Sequence, residues 1–352
     1  MLLKELVQKI DCQIIGDGDI NITGLQYDSR AVEPGDLFFC IKGFATDGHR
    51  FAPAAVEKGA VCLVVTERQE IDVPQVLVED DRAAMAEISA AFYGYPAKEL
   101  RMIGVTGTNG KTTTTYLLKS ILEQARGAKV GLIGTNQNMI GEEVLPTERT
   151  TPESFALQGL LARMRDAGCT HVVMEVSSHA LALDRVYGIH YAVGIFTNLT
   201  QDHLDFHKTM EEYCDAKALL FQACDVGVVN ADDPWTERLL RRATCRVYTY
   251  AEQERADLRA EEACLSADHV AFRAVTESEK VPVQVNIPGG FMVYNTLDVL
   301  GAALQLGVSI GQSAGILAKV PHVKGRVEVV PTPGKDYTVL IDYAHSPDSL
   351  TN

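Results

Sequence analysis

The stretch that most constrains the fold lies at residues 100–124, LRMIGVTGTNGKTTTTYLLKSILEQ. An apolar run breaks into the glycine-rich turn TGTNGKT at 106–112, and a helical pattern follows. A strand that passes through such a turn into a helix points backbone N–H groups at a phosphate. Because glycine has no Cβ atom, Gly107 and Gly110 let a ligand approach the backbone closely. The pattern predicts an α/β fold built around a phosphate-binding loop.

The residues after the turn suit the same ligand. Lys111 is placed to reach the β- and γ-phosphates of a nucleotide, and the Thr112 hydroxyl to hold Mg²⁺. A strict G-x-x-x-x-G-K-T motif requires glycine where this chain has Val105. The β-branched run from Thr112 to Thr115 opens a helix poorly on propensity alone, and hydroxyl groups beside a phosphate explain it better. A glycine-rich turn without a ligand is the alternative.

Composition narrows the class of protein. A chain of 352 residues with 46% hydrophobic and 22% charged residues suggests a globular protein of two or three domains. Its net charge of −15 argues against a general surface for nucleic acid or anionic membranes. The eight cysteines include no C-x-x-C pair, which favours reduced thiols. With no signal-peptide pattern and no run of about 20 apolar residues, we expect a cytoplasmic protein.

The chain divides at clusters of breaker residues. Residues 1–97 read as a small α/β domain that ends at the Tyr-Gly-Tyr-Pro-Ala cluster of 93–97. Residues 98–331 read as a central domain in which strands and helices alternate, which predicts a mostly parallel sheet covered on both faces. Within it, residues 255–287 alternate like short antiparallel strands. Residues 332–352 begin with a strand at 337–342, which either pairs back onto the central domain or starts a third domain.

The strands and helices expected within these domains can be given by number. Strands are predicted at 36–42, 60–66, 102–105, 129–133, 170–176, 192–198, 226–230 and 246–250, and helices at 53–58, 82–93, 211–224 and 291–306.

Polar residues follow the predicted strands where ligands bind in open parallel sheets. Glu175 ends one apolar strand and is predicted to hold Mg²⁺, the alternative being a glutamate that faces solvent. His203 follows another strand and could ligate a metal ion, or could be a loop histidine without that role. Its spacing of four from His207 suggests a zinc helix, but no H-E-x-x-H pattern is present, so we reject that reading.

Lys217 interrupts the apolar stripe of the predicted helix at 211–224. It shares a face with residues at helical spacing, namely Tyr213, Leu220, Phe221 and Cys224. Because an unpaired buried ammonium is costly, the side chain either extends its tip to water or has a partner or a modification. A lysine with a lowered pKa can react with CO₂, and the resulting carbamate is a carboxylate able to bind Mg²⁺.

Together these segments resemble the Mur ligases of peptidoglycan synthesis, most closely the branch that adds a diamino acid as the third residue. The matching segments run along nearly the whole chain: Tyr27-Asp-Ser-Arg30, Pro34-Gly-Asp-Leu-Phe38, Asp47-Gly-His49, the loop at 106–114, Thr150-Thr-Pro152, Met174-Glu-Val-Ser-Ser-His-Ala-Leu181, Thr197–Asp205, Ala216-Lys217, Asn230-Ala-Asp-Asp233, Gly325-Arg326 and Asp342-Tyr-Ala-His-Ser-Pro-Asp348. The loop alone would also suit folylpolyglutamate synthases.

The resemblance implies ATP and Mg²⁺, with two metal sites, as cofactors. The nucleotide would be bound by the loop and by residues from later segments: Gly107, Thr108, Asn109, Gly110, Lys111, Thr112, Thr113, Asn295, Arg326, Asp342 and His345. Metal ions would be held by Thr112, Glu175, His203 and carbamylated Lys217, and the catalytic residues would be Lys111, Glu175, His203 and Lys217. The family usually has asparagine where this chain has Met292.

The resemblance also implies the substrates and the reaction. UDP-MurNAc-L-Ala-D-Glu would be bound by Ser29, Thr150, Thr151, Ser177 and Arg185. ATP would phosphorylate the D-Glu carboxylate to an acyl phosphate, and the amine of meso-diaminopimelate or L-lysine would then displace phosphate. We expect a monomer that binds no nucleic acid and no membrane.

Where the chain stops bears on this expectation. The family's third, Rossmann-like domain begins near the end of this chain, so we expect most of it to be truncated. A catalytically incompetent nucleotide- or UDP-sugar-binding fragment is therefore one alternative, and a different phosphate-loop enzyme such as a kinase or GTPase is another.

Overall fold

The computed structural model describes residues 1–43, 46–330, 332–334, 337 and 339–344, and they form two compact units. The first unit comprises Met1–Glu99, Pro152–Asp166 and Ala182–Ile189. Its elements are α1 (Leu3–Leu6), β1 (Gln13–Ile15), β2 (Gly24–Gln26), β3 (Asp36–Phe39), α2 (Ala52–Glu57), β4 (Cys62–Val65), β5 (Gln75–Leu77), α3 (Asp81–Phe92) and, from the later segment, α5 (Ser154–Asp166).

The sheet of the first unit has the strand order β1-β5-β4-β3-β2. The strands β2 to β5 are parallel, and β1 pairs antiparallel with β5. Strands β3 and β4 are fully buried because their residues are almost all apolar. Asp80 caps the N-terminus of helix α3, because its side chain accepts hydrogen bonds from the N–H groups of Arg82 and Ala83.

The second unit comprises Leu100–Thr151, Ala167–Leu181 and His190–Asn352. Its helices are α4 (Lys111–Arg126), α6 (Ser178–Ala182, of which Ala182 belongs to the first unit), α7 (Leu204–His207), α8 (Met210–Ala218), α9 (Thr236–Leu240), α10 (Phe291–Gln305) and α11 (Ile310–Leu317). Its strands are β6 (Arg101–Thr106), β7 (Val130–Ile133), β8 (Asn138–Ile140), β9 (Glu143–Leu145), β10 (His171–Glu175), β11 (Tyr191–Phe196), β12 (Cys224–Asn230), β13 (Arg246–Ala251), β14 (Leu258–Leu265), β15 (Val270–Val275), β16 (Lys280–Val285), β17 (Glu328–Val330) and β18 (Val339–Ile341).

An eleven-stranded sheet dominates the second unit, in the order β16-β15-β14-β13-β12-β11-β6-β10-β7-β8-β9. The strands from β14 through β7 in this order are parallel, and antiparallel strands extend the sheet at both ends. Helices α4, α10 and α11 pack their apolar faces on the sheet in one continuous core. The predicted α/β class, with a mostly parallel sheet and a small antiparallel part, is confirmed.

One prediction about an element needs correction. The helix predicted at 211–224 ends at Ala218, a 3₁₀ helix follows at Leu219–Gln222, and Cys224 already begins β12. The last predicted strand corresponds to β18, which pairs antiparallel with β17 in a two-stranded ribbon separate from the large sheet. The domain boundaries after residues 97 and 331, and the third domain, stay predictions.

In the part of the chain that the structure describes, no helix combines the length and the apolar character needed to cross a bilayer.

Candidate active site

Strand order brings three polar segments of the second unit to one edge of the sheet. The strand β6 lies between β10 and β11 and runs parallel to both, with Val105 beside Glu175 and Thr106 beside Phe196. The glycine-rich turn after β6, the end of β10 and the segment after β11 therefore lie together beyond the carboxyl ends of these strands, as the sequence predicts.

The two glycines of the turn are required by their surroundings. Gly107 has a φ of +149°, and a Cβ atom there would overlap with Thr197 Oγ1. Gly110 has a φ of +90°, and a Cβ atom would lie 2.5 Å from Asn295 Oδ1. The turn is anchored by Asn198, whose backbone oxygen accepts from Thr108 N at 2.9 Å and whose Oδ1 accepts from Asn109 N at 2.9 Å. The helix α4 begins at once after this turn, so its first N–H groups face the same space.

Lys111 folds back over the turn. Its Nζ donates to the backbone oxygens of Gly107 at 2.9 Å and Thr108 at 2.8 Å. Burial lowers the pKa of the Lys111 ammonium, and the Glu175 carboxylate partly opposes that lowering. The ammonium therefore has only neutral carbonyl partners among its hydrogen bonds to described residues, and an anionic ligand would be a stronger one.

Glu175 is buried, with 1% of its surface exposed, which excludes the solvent-facing alternative. Its Oε1 accepts from Thr112 Oγ1 and Thr135 N, both at 2.9 Å, and its Oε2 accepts from Thr135 Oγ1 at 2.9 Å. A Cβ atom at Gly134 would overlap with this carboxylate, so glycine leaves the space that it fills. The carboxylate and the Thr112 hydroxyl form an oxygen donor pair of the kind that Mg²⁺ prefers.

Arg326 reaches the same hydroxyl. Its Nη2 donates to Thr112 Oγ1 at 3.0 Å, and its guanidinium lies 5.1 Å from the ring centroid of Tyr343. Its Nε is buried without a hydrogen-bond partner among the described residues. Asp342 accepts from the N–H groups of Val327 and Ala344 at 2.7 Å. His345 lies outside the described residues.

Asn295 projects from α10 toward the turn. It is buried, and its Nδ2 lies 3.8 Å from the sulfur of Met292, so the methionine packs beside the amide that the family resemblance assigns to the nucleotide. One helical turn further on, Asp298 accepts from Thr114 Oγ1 at 3.1 and 2.9 Å. Burial raises the pKa of Asp298 well above its usual value. Helix α10 is thus tied to α4 beside the loop.

Lys217 is buried with 1% of its surface exposed, so its tip does not extend to water. Its Nζ donates to the backbone oxygen of Gly107 at 2.9 Å and lies 4.3 Å from the ring centroid of Tyr213. Burial lowers the pKa of Lys217 well below its usual value, and the Lys111 charge lowers it further. Two lysines thus share one carbonyl oxygen, and a neutral Lys217 relieves the repulsion between them.

His203 has a φ of +54° and directly precedes α7. Its ring lies 4.9 Å from that of His179 and 5.9 Å from that of Tyr213. Burial lowers the pKa of His203, and the Asp202 carboxylate partly opposes this. Among the described residues, no group of three or more His, Cys, Asp or Glu side chains is arranged to hold a metal ion. A metal ion here would need further ligands from water or substrate, which Mg²⁺ usually keeps.

His207 supplies a prediction about pH. Burial, followed by the nearby His179, Lys217 and His203, lowers the pKa of this side chain from 6.5 to about 4. Between these values the unfolded chain binds a proton that the folded chain does not, so stability falls as the pH falls. We expect His207 to remove at most about 3 kcal/mol from the free energy of unfolding over this interval. Urea denaturation at several pH values measures it.

The matched comparison uses His207→Gln and, as a control, His190→Gln at an exposed histidine. The first variant should show a flatter dependence of stability on pH, and the second should follow the wild type. Equal slopes for all three proteins would contradict the assignment.

The residues predicted to bind the second substrate fall in both units. In the second unit, Thr151 Oγ1 donates to the backbone oxygen of Glu175 at 2.9 Å and accepts from Ser177 N at 3.1 Å, while Thr150 Oγ1 lies 3.0 Å from Thr135 Oγ1. These hydroxyls therefore cluster around Glu175.

The other two residues of that set belong to the first unit. Ser29 lies in the turn after β2, and Arg185 Nη2 pairs with Glu153 Oε1 at 2.8 Å. No sequence motif identified Glu153 as the ion-pair partner of Arg185, although Glu153 directly follows the Thr-Thr-Pro segment at 150–152.

Comparisons with known proteins agree with this geometry. The model of the Mur ligase middle domain matches residues 105–303, and the model of the Mur ligase family catalytic domain matches residues 21–93. This chain belongs to the Mur ligase family. The Mur ligase middle domain thus includes the loop, Glu175, His203, Lys217 and Asn295.

Several curated ligases are similar in sequence to the whole of this chain. Proteins named UDP-N-acetylmuramoyl-L-alanyl-D-glutamate--2,6-diaminopimelate ligase from Clostridium botulinum and Caldanaerobacter subterraneus are 43% and 46% identical. Each match covers 100% of this chain and 74% or 73% of the relative. A solved structure of a protein with the same name superposes on this chain with a TM-score of 0.86 at 27% sequence identity. The match covers 99% of this chain and 72% of the solved one.

Proposed function

We propose that this chain acts in an ATP-dependent ligase that adds a diamino acid to UDP-MurNAc-L-Ala-D-Glu through an acyl phosphate. The observation that carries the proposal is the convergence of Lys111, Lys217, Thr112 and Glu175 around the glycine-rich turn, in a chain of the Mur ligase family. A cationic donor, here Lys111, and metal ligands at one point are what transfer of a phosphoryl group requires.

The nucleotide fits the residues around the turn. The N–H groups at the start of α4 would bind phosphate oxygens, and Lys111 would exchange its two carbonyl partners for the β- and γ-phosphates. Arg326 supplies a second cation, and its unpartnered Nε is a donor that a ligand can satisfy. Asn295 borders Gly110 and would therefore lie beside a nucleotide bound at the turn.

Mg²⁺ fits two donor sets. Thr112 and Glu175 would hold one ion, and His203 with a carbamate on Lys217 the second, with water and phosphate oxygens completing each shell. When bound, the ions neutralise charge on the phosphoryl group in transfer. The carbamate forms when the neutral Nζ attacks CO₂ and loses a proton. Burial and the sharing of the Gly107 carbonyl with Lys111 both favour the neutral amine that this step needs.

The names of the relatives support 2,6-diaminopimelate as the amino acid that is added. Its amino group would attack the acyl phosphate, so that the C–N bond forms as the bond to phosphate breaks. ADP formation with diaminopimelate compared with L-lysine distinguishes the two amines. The predicted monomeric state and cytoplasmic location stay predictions.

Ligand-induced stabilisation tests the proposal directly. We expect UDP-MurNAc-L-Ala-D-Glu, and separately Mg²⁺ with a non-hydrolysable ATP analogue, to raise the melting temperature of this chain by a few degrees. A ligand at 100 times its dissociation constant stabilises by about 2.7 kcal/mol. UDP-N-acetylglucosamine and a GTP analogue serve as controls that lack the peptide and the adenine. No shift with either proposed ligand would overturn the assignment. Shifts without ADP formation would indicate a binding fragment.

A further inference from the structure

Tyr213 lies where the glycine-rich turn meets Lys217. It belongs to α8, one helical turn before Lys217, and 1% of its surface is exposed. Its hydroxyl lies 3.2 Å from Thr108 Oγ1, and its ring centroid lies 4.3 Å from Lys217 Nζ and 5.9 Å from the His203 ring. One buried side chain therefore contacts the turn and both residues of the proposed second metal site.

The direction of the Tyr213 hydrogen bond follows from its neighbours. The Thr108 hydroxyl has one proton, which it donates to the Thr200 backbone oxygen at 3.2 Å, and it accepts from Thr200 N at 3.1 Å. When the Thr108 proton is donated to Thr200, the Tyr213 hydroxyl donates to the remaining lone pair of Thr108.

The ring of Tyr213 contacts Lys217. Lys217 Nζ lies against the ring while donating to the Gly107 backbone oxygen, and Gly107 directly precedes Thr108 in the chain. The hydroxyl and the ring thus hold neighbouring residues of the turn, one by a direct hydrogen bond and one through Lys217. Removing the hydroxyl takes one hydrogen bond from the Thr108 side chain, whereas removing the ring takes from Lys217 its contact with the ring.

We propose that Tyr213 is a positioning residue that sets the distance between the phosphate-binding turn and Lys217. Its hydroxyl fixes Thr108, and its ring holds Lys217 Nζ at the Gly107 carbonyl. The inference rests on the proposed function, because it takes the ligand of the turn to be a nucleoside triphosphate. Tyr213 acts through Thr108 and Lys217.

Two variants separate the hydroxyl from the ring. Tyr213→Phe should weaken binding of Mg²⁺ with a non-hydrolysable ATP analogue about fivefold, the effect of one lost hydrogen bond. Thr108→Val should weaken it at least as much, and the double variant no more than Thr108→Val alone, because both changes remove the same bond. Tyr191→Phe is the matched control, since Tyr191 is equally buried and, among the described residues, its hydroxyl hydrogen-bonds only to the sulfur of Met174. Calorimetry measures the affinities.

The ring is tested by a spectroscopic readout that does not depend on nucleotide. In protein labelled with carbon-13 at lysine Cε, the ring should shift the Lys217 ε-proton signal upfield, and Lys217→Arg assigns that signal. The shift should persist in Tyr213→Phe and vanish in Tyr213→Leu.

The outcomes separate this inference from the function on which it rests. The positioning role would be overturned if the Tyr213→Phe and Tyr191→Phe proteins bound the analogue equally tightly. It would also be overturned if the Lys217 signal were the same in the wild type and in Tyr213→Leu. A wild-type chain that binds no analogue would instead overturn the proposed function and the role of the hydroxyl. The shift of the Lys217 signal would then still decide the role of the ring.

Discussion

Replacing Lys217 with alanine should reduce ADP formation by about a thousandfold or more, because a ligand of the phosphoryl-transfer metal is lost. The proposed metal ligand is the carbamate on Lys217, and alanine has no side-chain amine that could form a carbamate. Added bicarbonate should therefore fail to restore turnover. Acetate or propionate should restore part of it, since a short carboxylate can occupy the space that the shortened side chain leaves. ADP release in the presence of UDP-MurNAc-L-Ala-D-Glu and diaminopimelate measures the effect.

Lys119→Ala is the matched control for this experiment. Lys119 is also buried in the second unit, with 5% of its surface exposed, but it pairs with Glu123 at 2.7 Å. Carbon-13 NMR after exchange with labelled bicarbonate should give a carbamate signal in the wild type and in Lys119→Ala, but not in Lys217→Ala. Near-wild-type turnover of Lys217→Ala would contradict the carbamate proposal. A carbamate signal of the same strength in Lys217→Ala and in the wild type would contradict it too.

Replacing Gly107 with alanine should destabilise the second unit by about 3 kcal/mol, because the new methyl group enters a closely packed site. It would overlap with Thr197 Oγ1, which donates to the Asn109 backbone oxygen at 2.6 Å and so helps to shape the turn. The turn must move to accept the methyl group, and we expect binding of the ATP analogue to be lost. Urea denaturation and calorimetry measure the two effects.

Gly127→Ala separates the cost of backbone conformation from the cost of overlap. Gly127 ends α4 with a φ of +60°, and a Cβ atom there would meet nothing within 4 Å. It should cost about 1 kcal/mol, the usual penalty for a left-handed residue, and leave nucleotide binding unchanged. Equal stability of the two variants, with the analogue still bound by Gly107→Ala, would show that the turn tolerates the methyl group.

The sequence allowed the phosphate-binding turn and its strand partners to be predicted because their signals are local. An apolar run, the two glycines of the turn and a lysine lie within the eleven residues 102–112. The position of Glu175 was also predictable, since a polar residue at the end of an apolar strand must lie at the carboxyl edge of a parallel sheet. The buried, fully hydrogen-bonded state of Glu175 was not predictable, because it depends on Thr135, a residue in the segment after another strand.

The helix that carries Lys217 shows a different limit. Helical spacing correctly places Lys217 and Tyr213 on one face, but it also suggests that the helix continues to Cys224. In the structure the chain changes to a 3₁₀ helix at Leu219 and then enters β12, since pairing with β11 and β13 outweighs helical propensity. The partner of Lys217 could not be predicted, because the Gly107 carbonyl lies 110 residues away in the chain.

Thr112 Oγ1 uses its proton and one of its two lone pairs for hydrogen bonds to described residues. Its proton is donated to Glu175, and a lone pair accepts from Arg326 Nη2. A cation that coordinates this oxygen from the side of Arg326 must take that lone pair, and the guanidinium must then find another acceptor. On that side, arrival of the metal ion and release of Arg326 toward an incoming phosphate would be a single exchange.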